Sequence, residues 1–332
     1  SEYFSAFRID HILGFFRIWS IPRHAIEGIM GHFVPAIPLF ASELNEHGIH
    51  TDLKRFYKPF ITEEIIYEIF GTNAEQVLTS FVVPNDWGSY SLEFQFESQV
   101  QVEHYFSTME PSEENNKIKQ GLIDLISNVI LLPDSNAGES QFHFRFGMEN
   151  TTSFRYLDDY SKGVLKYLYN NYFYERQDDF WKKEAMHKLP RLKQATNMLI
   201  CGEDLGMVPH SVPEVMKQLG ILSLEIQRMP KDAKKLFFHP DDAPYLSVVT
   251  PSTHDMSTIR GWWEEDRAKT QHFFNHELGQ HGEAPYFCEP WINKAIVLQH
   301  LYSPARWSIF QLQDLLGIDG EWGGAHRAEE RV

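Results

Sequence analysis

The chain has 332 residues, 42% hydrophobic and 14% aromatic, which is apolar material for one large globular domain or two modest ones. Its 30 Lys plus Arg stand against 46 Asp plus Glu, and the net charge of -16 repels phosphate backbones and anionic membranes, so neither nucleic acid nor membrane is an expected partner. The two cysteines, Cys201 and Cys288, rule out a disulfide framework and a C-x-x-C site, in keeping with a reducing, cytoplasmic setting. A neutral ligand such as a polysaccharide needs no charge steering, and 25 Phe, 14 Tyr and 8 Trp could offer flat apolar faces to sugar rings.

The first residues run straight into a strand pattern without a leader or cap, as in a chain that begins inside a larger protein. Short apolar segments at 6–10, 198–202, 222–227, 246–250 and 307–311 alternate with longer helical stretches, which predicts an α/β protein with parallel strands. In such folds the C-terminal strand ends carry the reacting groups. Thr62 opens a helix in TEEIIYEIFG, with acids in its first turn and Gly71 after its last. A tract over 161–181, with Tyr and Leu at helical spacing, predicts a core helix. Ser211 and Glu214 around Pro213 predict a capping box ahead of EVMKQLG. Residues 45–194 read as mainly helical and loop-like, one large insertion between two strands, with polar breaks at 111–117 and 133–140.

Three segments bring carboxyl groups to strand ends. In SAFRIDHILGFFRIWSIP, period-two alternation places Arg8 and Asp10 on one face, and the cation favours the ionised carboxylate that a nucleophile needs. A structural ion pair would leave the same trace. In MLICGEDLGMVP, a strand ends in the adjacent acids Glu203 and Asp204. One of two crowded carboxyls has a raised pKa, as a general acid requires, although acids at a helix start read the same way. In YLSVVTPSTHDMSTIRGWWEED, His254 and Asp255 follow a Val-rich strand at a loop position suited to reacting groups. An H-D pair also occurs in metal phosphohydrolases, but the 16 histidines form no H-x-H or H-x-x-E-H cluster, so no metal is expected.

These segments in this order, with GHFVPAIPLF (31–40), LEIQRMP (224–230) and WSIFQLQDLLG (307–317), resemble glycoside hydrolase family 77, the amylomaltases and disproportionating enzymes. The likeness is greatest to the branch with the plant cytosolic disproportionating enzyme, and it includes FRFGMENTTSFRYLDDYSK (144–162). The resemblance implies a (β/α)8 barrel of the α-amylase clan, present here from about strand four to strand eight. The long insertion then lies between strands four and five. Strands one to three and any starch-binding modules are not represented, so a more open cleft is expected, and activity is expected of the complete protein rather than of this span.

By the same resemblance, Asp10 is the nucleophile with Arg8 as its partner, Glu203 the acid/base, and Asp255 the transition-state stabiliser beside His254; Asp204 is counted among the supporting residues. The implied activity is 4-α-glucanotransferase, moving α-1,4-glucosyl or glucan units between maltose or maltooligosaccharides and glycogen- or starch-like acceptors, with no cofactor. Retention demands a short carboxyl separation, so the closest Asp10 and Glu203 oxygens are expected within roughly 4 to 7 Å in an unliganded site. The rivals are a hydrolase of the same clan and a non-catalytic glucan-binding fragment.

Overall fold

The computed structural model describes residues 3–135, 137–232 and 234–319. It divides into two compact units, one made of Ser1–Phe16 with Lys182–Val332 and the other of Arg17–Trp181. Among the described residues, no helix is long and apolar enough to cross a membrane.

The first unit is built on five short parallel strands, Ala6–Ile9, Leu199–Gly202, Ser223–Ile226, Ser247–Thr250 and Trp307–Ser308. All five fall where the apolar segments predict them, one to three residues shorter at their ends. Ala6 to Ile9 pair in register with Leu199 to Gly202, and Ser223 to Ile226 with Ser247 to Thr250. A parallel bridge between Cys201 and Leu222 joins these pairs, and Val248 pairs with Trp307. The strands therefore lie side by side in chain order, all pointing one way. Parallel neighbours need a crossover, and helices such as Ser211–Leu219 and Ile259–Glu265 supply it.

Leu222, Leu224, Ile226 and Val248 form a buried cluster on the strands, with Leu199 and Trp307 packed against it. The later helices bury a second cluster around Trp263, Phe273 and Ile292. Each such side chain removed from water contributes about 1.5–3 kcal/mol. The helix Ser211–Leu219 begins one residue earlier than the capping signal implied. His210 holds the N-cap position without a side-chain cap, so Ser211 lies inside the helix and the expected box does not form. Gly220 ends it in the left-handed region (φ 63°), which glycine adopts without a Cβ clash.

Among its described residues the second unit carries three antiparallel sheets beside its helices, one of them at Ile18–Ser20 and His32–Val34, ahead of the 45–194 stretch. Leu131–Asp134 and Gly138–Phe144 form a hairpin across the 133–140 break, and Leu39–Phe40 pairs on its far edge. Thr62 caps Glu63–Phe70 as expected, its hydroxyl accepting from the Ile65 N–H. The predicted 161–181 helix is two helices, Asp159–Tyr174 and Asp178–Gln194. The break has a cause in side-chain bonding. Arg176 grips both oxygens of Glu43 at 3.1 and 2.6 Å, and the buried Gln177 amide exchanges two 2.8 Å bonds with the main chain of Ile37.

Side chains of the 144–162 motif anchor the main chain around them. Arg145 donates to the carbonyls of Ser127, Phe146 and Gly147, and Asn128 accepts from the Ser153 N–H. Asp158 then caps the next helix through the Ser161 N–H at 2.9 Å.

Candidate active site

The strand Ala6–Ile9 sends Arg8 and Asp10 to one side, and the guanidinium meets the carboxylate at 2.8 Å. Both groups are substantially exposed, so the pair sets direction rather than stability. Ile9 is the register partner of Gly202, which makes Asp10 and Glu203 the next residues on two adjoining strands.

A left-handed turn at His11 (φ 48°, ψ 59°) ties these ends together. It is the only non-glycine residue with positive φ among those described, a conformation that costs an L-residue about 1–2 kcal/mol. The turn points the His11 N–H at Oε2 of Glu203, 2.9 Å away, while Oε1 accepts from the Leu205 N–H at 3.1 Å. The Glu203 main chain is fixed as well: its N–H donates to the Ile9 carbonyl at 2.9 Å, and its carbonyl accepts from the Ile12 N–H at 3.0 Å. Gly202 allows this closeness, because a Cβ there would stand 2.6 Å from Cδ1 of Ile12.

Asp204 turns the other way, into the protein. Its carboxyl is 1% exposed, accepting from the Leu224 N–H at 2.9 Å and pairing with Lys231 at 2.7 Å. Lys231 also reaches Glu225 at 2.7 Å. Burial pushes the Asp204 carboxyl up to about 6, against the downward pull of Lys231. Sealed in this way, Asp204 ties the loop after Glu203 to Leu224 and Lys231.

The strand Ser247–Thr250 is wholly buried, and its chain emerges at His254 and Asp255. His254 Nε2 lies 3.3 Å from Asp255 Oδ2, with both side chains exposed. The strand stands second from Leu199–Gly202 in the parallel order, with Ser223–Ile226 between them. All three candidate carboxylates thus follow the C-terminal ends of strands of one parallel set. A mostly apolar cavity of about 380 Å³ opens among these strands, lined by Arg8, Cys201, Leu224, Thr250, His254 and Trp307 among others.

Other contributors carry no mark of their role in residue type, although Arg228 and Asp314 stand within 224–230 and 307–317. The His11 main chain, Arg228 and Asp314 hold the carboxylate loops, yet only the conformation of the chain reveals the first, and only burial the last. No group of three or more His, Cys, Asp or Glu among the described residues could hold a metal ion. Cys201 and Cys288 are both free thiols.

Fold and site together define an α/β protein whose carboxylates stand at the C-terminal ends of parallel strands, the arrangement of a strand-end enzyme site. The family model described as 4-alpha-glucanotransferase, glycoside hydrolase 77, matches residues 1–324, and the chain belongs to that family. It is 38% identical over 338 aligned residues to 4-alpha-glucanotransferase DPE2 of Oryza sativa subsp. japonica, covering 100% of this chain and 35% of that protein. The chain thus spans about a third of this relative's length. A 4-alpha-glucanotransferase of Chlamydia pneumoniae is 33% identical over 93 residues, 27% of this chain and 18% of the relative. The crystal structure of amylomaltase from Corynebacterium glutamicum aligns with 83% of this chain and 54% of its own, at 10% identity and a TM-score of 0.32.

Proposed function

We propose that the complete protein is a 4-α-glucanotransferase that passes α-1,4-glucosyl or glucan units between maltooligosaccharides or maltose and glucan acceptors by double displacement with retention. Family membership supports the activity, and one structural observation carries the site. Asp10 and Glu203 are successive to paired residues on adjoining parallel strands, with the Glu203 carboxylate held by the N–H of the residue after Asp10. Two carboxyl groups serving one glycosidic bond must be neighbours of this kind.

In this reading Glu203 protonates the leaving glycosidic oxygen while Asp10 attacks the anomeric carbon, giving a glucosyl-enzyme. Glu203, now a base, takes the proton of a glucan hydroxyl, and the sugar leaves Asp10 for that acceptor. Asp255, with His254 beside it, hydrogen-bonds the donor sugar and favours its oxocarbenium-like transition state. Arg8 keeps Asp10 oriented through its 2.8 Å contact. No step calls for a metal or an organic cofactor.

The five strands in chain order support reading this unit as strands four to eight of a (β/α)8 barrel, with the Arg17–Trp181 unit inserted after the first of them. The cavity between the strands is then the barrel lumen, seen from the side that three further strands would close. A cytoplasmic protein acting on maltose and glycogen- or starch-like glucans follows from the same reading, with neither nucleic acid nor membrane as partner.

Incubating the complete protein with maltotriose and resolving the products tests the activity. Longer oligomers together with glucose are expected. Steady shortening alone would make the protein a hydrolase of the same clan, and glycogen binding without turnover would make it a binding module.

A further inference from the structure

The loop that carries His254 and Asp255 leaves the strand Ser247–Thr250 at Pro251 and enters the helix Ile259–Glu265. A loop of this length, exposed at its tip, would wander unless something fixed its two ends. Two side chains do so, and each grips both ends. Arg228 donates through Nε to the Pro251 carbonyl at 2.8 Å and through Nη2 to the Ser257 carbonyl at 2.5 Å. Asp314, 1% exposed, accepts from the Ile259 N–H at 2.8 Å through one oxygen and from the Ser252 hydroxyl through the other.

The two grips come from opposite sides. Arg228 follows Ser223–Ile226, and Asp314 sits on Leu312–Leu316, just beyond Trp307–Ser308. These strands are the two sheet neighbours of Ser247–Thr250. Gln311 adds a third point, its amide donating to the Thr253 carbonyl. Packing of the Arg228 guanidinium 5.3 Å from the Trp262 ring keeps that fork in place.

We propose that Arg228 and Asp314 are positioning residues for Asp255: a cation and an anion, delivered from the two flanking strands, that each bridge both ends of its loop. Neither side chain touches the sugar. Their effect passes through the position of the Asp255 carboxylate, where a displacement of about 1 Å can cost on the order of a hundredfold in rate. The inference rests on the stabiliser role of Asp255 set out above.

The test is a double-mutant cycle on the complete protein, with a glucosyl fluoride as donor and rates normalised to folded enzyme. Asp314→Ala in the wild-type background is expected to lower kcat by about thirtyfold with KM changed less than about threefold. In an Asp255→Asn background the same substitution is expected to change the rate by less than about threefold, because there is no longer a carboxylate to misplace. A merely structural role produces the same loss in both backgrounds, and that result overturns the proposal. Should Asp314→Ala fail to fold, Ser252→Ala removes one anchor and is read by the same comparison. If Asp255→Asn alone retains activity within about tenfold, the stabiliser assignment falls and the clamp with it. A disabled Asp255→Asn beside a fully active Asp314→Ala overturns the clamp alone.

Discussion

The His11 N–H donates to the Glu203 carboxylate at 2.9 Å across 192 residues of chain. That bond exists because His11 is left-handed, and the left-handed turn follows directly on Asp10. One strained residue thereby couples the strand end bearing the proposed nucleophile to the group proposed as acid/base. Strain of this sort persists only where surrounding structure over-determines it, here by the paired strands and the buried Ile12.

The turn makes a prediction about side-chain shape. His11→Val places a β-branched residue in the left-handed region and should lower stability by about 1–2 kcal/mol relative to His11→Gly, which adopts that conformation freely. Urea unfolding of the two variants measures the difference. Equal stability would mean that the turn relaxes.

Gly202 admits Ile12 to within reach of the strand, and an added Cβ would also meet Met216 Cε at 3.0 Å. Gly202→Ala should cost about 1–3 kcal/mol as overpacking. Because the displaced Ile12 lies next to His11, turnover should fall beyond what the lost folded fraction explains. Thermal melts and rates on the same preparations separate the two effects.

Asp10 is 79% exposed at its side chain and holds one surface ion pair, so removing its charge should leave the fold intact. Asp10→Asn is expected to reduce turnover by about three orders of magnitude or more, since a covalent route loses its nucleophile. Retained activity within about tenfold, measured as maltotriose disproportionation, would remove Asp10 from that role.

Asp204 gives the protein a pH-dependent term. Its carboxyl titrates near 6 in the folded chain, above the roughly 3.9 of an unfolded aspartate, so the folded state binds this proton more tightly. The contribution is therefore complete below the unfolded value and is lost as pH rises through about 6. Between pH 4.5 and pH 7, wild type should lose about 2 kcal/mol relative to Asp204→Asn, which keeps an acceptor for the Leu224 N–H without the charge. Paired urea titrations at the two pH values read this directly. A difference that does not change with pH would show that Asp204 does not titrate in this window.

Much of this arrangement was legible in the residues themselves. Five apolar runs ending in polar residues marked the five parallel strands, most plainly at Ser247–Thr250, which is buried throughout. The Arg8–Asp10 contact followed from period-two alternation alone. What stayed hidden depended on partners remote in sequence. Asp204 and Glu203 look alike as adjacent acids, and only Leu224 and Lys231 decide which of them is sealed. The alternation in Gly138–Phe144 was a readable strand signal masked by the polar run before it, whereas Ser211 failed as a cap because Pro209 and His210 already begin the turn. Asp314 stood in a recognisable motif, but its hold on both ends of a loop could appear only in three dimensions.

The central claim is that Asp10 and Glu203 act as nucleophile and acid/base on one glycosidic bond. Glu203→Gln in the complete protein, given a glucosyl fluoride, tests it most directly, because fluoride leaves without a proton while hydrolysis and transfer still need the missing base. The account predicts that one glucosyl unit accumulates on the enzyme and that peptide mass spectrometry places it on Asp10. A label on another residue, or none while wild type turns the same donor over, would contradict it.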